Sequence, residues 1–167
     1  AAGTPNVLVE LYVMNADGSG QVKVDLGANR DIYLTRVDWT ADGKTLLVQL
    51  QSRDQKTLDM LAVDPATGKA TVLFTEKSGA RSWLNLTDVF PQKDGSLIWR
   101  SERDGYGHVY RFNRGKWTQL TKGPWVVTDI VEVDQARGKV YFLGNKDDAL
   151  ARETVALVLE PAVVAVK

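Results

Sequence analysis

Short alternating strands separated by glycine-containing turns recur along this chain, and this recurrence constrains the fold more than any other feature. The turn glycines Gly43, Gly95 and Gly138 lie 52 and 43 residues apart, each between two strand-like segments. A second self-match, at an offset of 50, aligns Leu11 and Val13 with Leu61 and Val63. A period of about 40–50 residues that carries four strands is typical of the blades of a β-propeller.

The strand pattern predicts an all-β fold, a partial β-propeller with about three four-stranded antiparallel blades and almost no helix. The 167 residues are interpreted as a single fragment of a propeller domain. Two outer strands are predicted at 7–26, complete blades at 31–76 and 84–121, and a partial or irregular blade at 126–167. A β-sandwich or an open meander would use similar strands, so the number of strands alone does not exclude either.

Two parts of the predicted blades carry more specific expectations. An inner strand is predicted at Asn85–Pro91, and Trp83 and Trp125 are each expected to begin an inner strand, in the core or at the rim of the hub. In the tail, strands are predicted at Val155–Leu159 and Val163–Val166, joined by a turn at 160–162. Apolar residues occur at successive positions of these tail segments, a pattern that suits a strand buried on both faces.

The composition excludes several classes of function. The 21 basic and 21 acidic residues balance, and because they form no block of like charge, neither nucleic acid nor a membrane surface is indicated as a partner. The chain has no cysteine, which excludes disulfides, thiolate metal sites and cysteine nucleophiles. It has one histidine, which cannot build a metal site by itself. No metal or other cofactor is therefore predicted.

One hairpin stands out at residues 101–112. A strand that begins at Leu97 enters a turn at Asp104 and Gly105, and a second strand leaves it at His108, the single histidine of the chain. An Asp-Gly turn supplies a positive φ angle at little cost, so Gly105 is expected to have a positive φ.

This hairpin closely resembles the Ser-Glu-Arg/Glu-x-Gly-x-x-His-x-Tyr hairpin in the N-terminal β-propeller of dipeptidyl peptidase IV-type serine peptidases, of the prolyl oligopeptidase family. The similarity continues in order at Trp83-Leu84-Asn85-Leu86, at Leu120-Thr-Lys-Gly-Pro-Trp-Val-Val and at Val140-Tyr-Phe-Leu-Gly-Asn, and it covers roughly residues 5–148. The motif residues to which the resemblance assigns a structural role are Glu102, Arg103, Gly105, Tyr106, His108, Tyr110, Trp83 and Trp125.

His108 has two interpretations. The first is a structural imidazole at the start of a strand, hydrogen-bonded to a neighbouring strand or to Glu102. The second is a contact with substrate or metal. Glu102 and Arg103 are adjacent and could form an ion pair within the hairpin, which would stabilise little if exposed.

No catalytic residue is predicted in this chain. A serine peptidase of this family needs a serine in Gly-x-Ser-x-Gly, and none of the six serines has glycine at both flanking positions. The resemblance implies a catalytic C-terminal α/β-hydrolase domain elsewhere in the protein. It also implies a Glu-Glu pair that holds the substrate amino terminus. The chain contains no Glu-Glu dipeptide, and its substrate-binding residues stay unassigned.

The resemblance thus implies a non-catalytic part of a bacterial exopeptidase that removes N-terminal Xaa-Pro or Xaa-Ala dipeptides, with this propeller gating and binding the peptide substrate. It also implies a periplasmic or secreted location. The isolated fragment would leave blade faces bare and is expected to self-associate, either as a homodimer that packs terminal blades together or through a tail strand at Val155–Val166 that folds back or swaps into another copy. The alternative is a stand-alone β-propeller or β-sandwich module that recruits a protein partner.

Overall fold

The computed structural model describes residues 7–147, 150 and 153–158 of the chain. Within these residues all regular structure is β, in thirteen strands without a helix. Every strand pairs antiparallel with its neighbours. The chain divides into two compact units, Ala1–Leu86 and Thr87–Lys167. The all-β, antiparallel class predicted from the sequence is confirmed.

The first unit holds a two-stranded and a four-stranded sheet. The two-stranded sheet is the hairpin of β1 (Tyr12–Val13) and β2 (Val22–Lys23). The four-stranded sheet follows the chain order, with β3 at Ile32–Trp39, β4 at Leu46–Ser52, β5 at Thr57–Val63 and β6 at Ala70–Lys77.

The second unit also holds two sheets. One contains β7 (Phe90–Pro91), β8 (Leu97–Ser101), β9 (His108–Asn113) and β10 (Lys116–Gln119), again in chain order. The other contains β11 (Val127–Asp134), β12 (Lys139–Gly144) and β13 (Glu153–Val158).

The glycine turns lie where the sequence predicts them. Gly43, Gly95 and Gly138 have φ angles of 68°, 81° and 62°, and each joins the first two strands of a sheet. In the left-handed region a Cβ atom is disfavoured, and glycine avoids that cost. The recurring turn therefore marks the start of three of the four sheets.

In the first unit, the β1–β2 hairpin packs on one face of the four-stranded sheet. Val24 is buried with aliphatic residues of β3, β4 and β5, and Leu11 and Val13 pack against this cluster, which includes Leu61 and Val63. The residues aligned by the 50-residue self-match therefore share one apolar cluster.

In the second unit, the two sheets enclose a common core. Its buried members come from β8, β9, β11 and β12, and they are Ile98, Val109, Val127, Ile130, Val140 and Phe142. Trp125 and Leu120 pack against this cluster from the segment that connects the two sheets. The connecting segment is thus fixed between sheets.

Three predicted strands are shorter than expected. The inner strand predicted at Asn85–Pro91 contains only Phe90 and Pro91. It is the edge strand of its sheet and pairs with β8 only at Phe90 and Pro91. The outer strands predicted within 7–26 are reduced to two residues each, although the Val24 N–H still donates to the Leu11 carbonyl at 2.9 Å.

The tail strand β13 pairs along its length with β12. Val155 and Leu157 pack against the core, whereas Thr154 and Ala156 are exposed. The expectation that this strand is buried on both faces is wrong, because only one face meets the core. The predicted strand at Val163–Val166 and the turn before it lie outside the described residues. The predicted blade boundaries remain predictions.

Candidate functional site

The β8–β9 hairpin has the turn that its sequence predicts. Gly105 has a φ of 95°, which confirms the expected positive angle. Its N–H donates to the Glu102 carbonyl at 2.9 Å, and the Tyr106 N–H donates to the Asp104 carboxylate at 3.2 Å. An Asp side chain that accepts a backbone N–H two residues on is a common means of fixing a turn. The hairpin thereby delivers His108 to the first position of β9.

His108 is completely buried, and both ring nitrogens have hydrogen-bond partners. Nε2 lies 3.1 Å from the Gly123 carbonyl oxygen. A carbonyl can only accept, so Nε2 carries the proton. Nδ1 lies 3.0 Å from the Thr121 hydroxyl, which also accepts the Val109 N–H at 2.9 Å. A ring protonated on Nε2 alone satisfies this network, with the Thr121 hydroxyl donating to Nδ1.

The aromatic neighbours of His108 complete this cluster. Trp125 meets the imidazole edge-on, with ring centroids 5.0 Å apart, and stacks on Phe142 at 6.0 Å. Its indole Nε1 donates to the Lys122 carbonyl at 2.9 Å. The ring of Tyr106 lies 6.3 Å from that of His108 and is partly exposed. Trp125 precedes β11 by two residues, so it does not itself begin the strand as expected.

Arg100 is a second anchor, which sequence reasoning did not identify. This side chain is only 8% exposed. Its Nε donates to the Val127 carbonyl at 2.6 Å, and its Nη2 pairs with Glu102 at 2.9 Å. Gly107 lies against the same groups, since a Cβ atom there would stand 2.6 Å from both Arg100 Nη2 and the Val127 oxygen. The only sequence signal for this contact is the second glycine of Gly-Tyr-Gly-His.

Arg103 lies over two aromatic rings. Its guanidinium carbon is 3.5 Å from the ring centroid of Trp117 and 4.7 Å from that of Tyr110. Its Nε donates to the Ser101 hydroxyl at 2.9 Å. A guanidinium over an aromatic face is a favourable cation–π arrangement. Glu102 and Arg103, predicted as partners, thus turn to different neighbours in these contacts.

Trp83 differs most from its predicted place. Its side chain is 78% exposed, and it lies in the irregular segment between β6 and β7. It neither begins a strand nor belongs to a core, because regular pairing resumes only at Phe90. The structure therefore brings together seven of the eight motif residues in one hairpin and its neighbouring segment, whereas Trp83 belongs to the first unit.

The chemistry available to the described residues is limited. The ring nitrogens of His108 face a hydroxyl and a carbonyl inside the fold. The described residues contain no group of three His, Cys, Asp or Glu side chains that could hold a metal ion. They also contain no helix long and apolar enough to cross a membrane.

The clearest electrostatic perturbation lies in the first unit, at the β1–β2 hairpin. The Lys23 ammonium and the Tyr12 hydroxyl lower the pKa of Glu10 to about 2, because both stabilise the ionised carboxylate. In the second unit, partial burial opposes the shift of Asp94, but hydrogen bonds from Ser96 and the charge of Arg111 still lower its pKa. These groups are salt-linked surface carboxylates.

A cleft of about 510 Å³ opens in the first unit, beneath the segment that connects β2 to β3. Its floor is aliphatic and includes Leu50, Leu61 and Val72. Its polar lining includes Asp25 from the connecting segment and Asp59 from β5. The sequence gives no indication of this cleft, because its lining comes from segments up to 47 residues apart in the chain, from Asp25 to Val72.

Comparison with known families gives a match over residues 1–162 to the family described as the dipeptidyl peptidase IV N-terminal region. A probable dipeptidyl peptidase 4 from Aspergillus flavus is 30% identical over 159 residues, a match that covers 89% of this chain and 20% of that protein. The inactive dipeptidyl peptidase 10 of Mus musculus is 26% identical, and the match covers 91% of this chain and 21% of that protein.

Solved structures give the same similarity. A Bacteroides ovatus protein assigned as a dipeptidyl aminopeptidase IV superposes with a TM-score of 0.77 at 26% identity, covering 93% of this chain and 25% of that one. Dipeptidyl peptidase 4 of Porphyromonas gingivalis superposes with a TM-score of 0.81 at 24% identity, covering 93% of this chain and 22% of that one. This chain spans about a fifth of the length of the curated relatives that it matches.

Proposed function

Because this chain belongs to the family of dipeptidyl peptidase IV N-terminal regions, and its fold is that of a partial β-propeller, we propose that it is a non-catalytic part of a dipeptidyl peptidase IV-like serine exopeptidase. The single observation that carries this proposal is the family match, which extends over residues 1–162. In the whole protein the propeller would cover the active site and restrict entry to peptides with a free, flexible amino terminus.

The site geometry supports a scaffold role for this part of the protein. His108 and Arg100 both hold the segment that connects the two sheets of the second unit, through the Gly123 and Val127 carbonyls. Neither side chain is placed to act on a ligand, because each is buried and occupied by protein groups. The hairpin motif thus fixes one sheet to the next, as a rigid propeller wall would require.

The catalytic step belongs in this proposal to a C-terminal α/β-hydrolase domain of the same protein. That domain would supply the serine nucleophile and its partners, and the substrate would be a peptide from which an N-terminal Xaa-Pro or Xaa-Ala dipeptide is removed. The length of the relatives is consistent with a further domain. A periplasmic or secreted location is part of the same proposal, and fractionation of the native host would test it.

We also expect the 167-residue chain to self-associate. On the side of β1 turned away from the four-stranded sheet, Leu8, Tyr12 and Met14 are all exposed. Exposed apolar patches on a soluble protein commonly mark an interface. A homodimer that covers this face is the arrangement we propose for the isolated chain.

The test of the proposed function compares the whole protein with residues 1–167 alone. The whole protein should release p-nitroaniline from Gly-Pro-p-nitroanilide and leave an N-acetylated Gly-Pro analogue intact, whereas the isolated chain should release none. Activity that co-purifies with residues 1–167 would contradict the assignment. So would a whole protein that cleaves the acetylated analogue as readily as the free one.

A further inference from the structure

The cleft of the first unit has the size of a small-ligand site. Its volume of about 510 Å³ lies within the usual range of roughly 300–1,000 Å³ for ligand pockets. It runs between the segment 25–29 and the face of the sheet formed by β3 to β6. Leu50 and Leu61 form a buried aliphatic floor, and Val72 is largely exposed beside them.

The charge of the lining has one sign. Asp25 and Asp59 line the cleft, and the lining contains no lysine, arginine or histidine. Asp25 accepts the Gly27 N–H at 2.9 Å, and Asp59 accepts the Thr75 hydroxyl. Both donors are neutral, and within the part of the chain that the structure describes neither carboxylate is in an ion pair.

The two cleft carboxylates differ in this respect from three others in the chain. Glu10, Asp94 and Glu102 each lie within ion-pair distance of a lysine or arginine. Asp59, by contrast, is half-buried beside an aliphatic surface with only a hydroxyl as its partner. A half-buried carboxylate gains more from a cation than an exposed one, because the local dielectric is lower.

We propose that this cleft binds a lysine side chain of an extended peptide segment. The four methylene groups of lysine would lie on Leu50, Leu61 and Val72, and its ammonium group would reach Asp59, with Asp25 at the other wall. A long aliphatic stem with a charged end suits such a surface. This proposal goes beyond the proposed function, since it assigns a ligand site distant in sequence from the hairpin motif.

The test uses the 167-residue chain and three capped peptides: acetyl-Leu-Lys-Leu-amide, its norleucine analogue and its glutamate analogue. The acetyl cap removes the terminal charge, so the central side chain is the only variable. Binding is followed by amide chemical shifts in two-dimensional NMR. We expect the lysine peptide to shift the amides of Asp59, Leu61 and Val72 and to bind at least about fivefold more tightly than the norleucine peptide.

Asp59→Asn should remove this preference for lysine, while Asp42→Asn, in the exposed β3–β4 turn outside the cleft, should leave it unchanged. Equal binding of the lysine and norleucine peptides would overturn the proposal. Amide chemical-shift changes confined to other parts of the chain would also overturn it, and so would a preference for lysine that persists in Asp59→Asn. If n-butylamine binds as tightly as the lysine peptide, the proposal that the cleft binds a peptide is wrong. Because the readout is binding to this chain, it is independent of whether the whole protein cleaves dipeptides.

Discussion

Thr121→Val is the substitution that tests the His108 cluster most sharply. Valine has nearly the shape of threonine, so the change opens no cavity and removes only the hydroxyl. In the native fold that hydroxyl accepts the Val109 N–H at 2.9 Å and contacts His108 Nδ1 at 3.0 Å. Val109 and His108 are both completely buried, so water does not replace the lost partner.

The magnitude follows from the two groups left without a hydrogen bond. A buried polar group that loses its partner costs about 1–3 kcal/mol. With partial relaxation, the free energy of unfolding should therefore fall by about 2–4 kcal/mol in Thr121→Val. The matched control is Thr71→Val, because Thr71 lies on an exposed strand and its hydroxyl makes only a long contact of 3.4 Å with the Ala62 carbonyl. Exposed substitutions of this kind usually change stability by less than about 0.5 kcal/mol.

The assay is urea unfolding of the 167-residue chain, followed by tryptophan fluorescence, with the slope checked for a change in cooperativity. The ring of His108 gives a second readout, since nitrogen NMR distinguishes the tautomer with a proton on Nε2 from the other one. The wild-type ring should be protonated on Nε2. If Thr121→Val is no less stable than Thr71→Val, or if the wild-type ring carries its proton on Nδ1, the network has been interpreted wrongly.

Three further outcomes follow from other parts of the chain. Gly107→Ala should lower the free energy of unfolding by about 1–3 kcal/mol, because its Cβ would stand 2.6 Å from Arg100 Nη2 and from the Val127 oxygen; an unchanged urea midpoint would contradict this contact. Lys23 lowers the pKa of Glu10 to about 2. The stability that this carboxylate contributes should therefore be complete above its ordinary pKa and be lost as the pH falls towards 2. When urea midpoints are measured against pH, Glu10→Gln should lack this loss. Light scattering should give a mass above the 18.5 kDa of one chain, and a monomer at high concentration would exclude the proposed homodimer.

Local features of the fold could be predicted from the sequence. The turn glycines and the Asp104-Gly105 hairpin depend on backbone angles that a few adjacent residues determine. The same hairpin places His108 at the start of β9. For these features the neighbours in sequence are also the neighbours in space.

Features that depend on distant residues could not be predicted. The Arg100 Nε reaches a carbonyl 27 residues away, at Val127, and no local pattern indicates that pairing. Only packing across the sheets brings Leu11 and Leu61 into one apolar cluster. Trp83 shows that an aromatic residue beside a predicted strand need not be buried.

We propose that this chain is part of a serine peptidase whose nucleophile lies in another part of the protein. The most direct measurement is labelling of the whole protein with a fluorophosphonate probe, followed by peptide mass spectrometry. We predict that a single serine outside residues 1–167 is labelled, with loss of dipeptide release in proportion to the labelling. Labelling of any of the six serines within the chain, or full labelling with no loss of dipeptide release, would contradict the account.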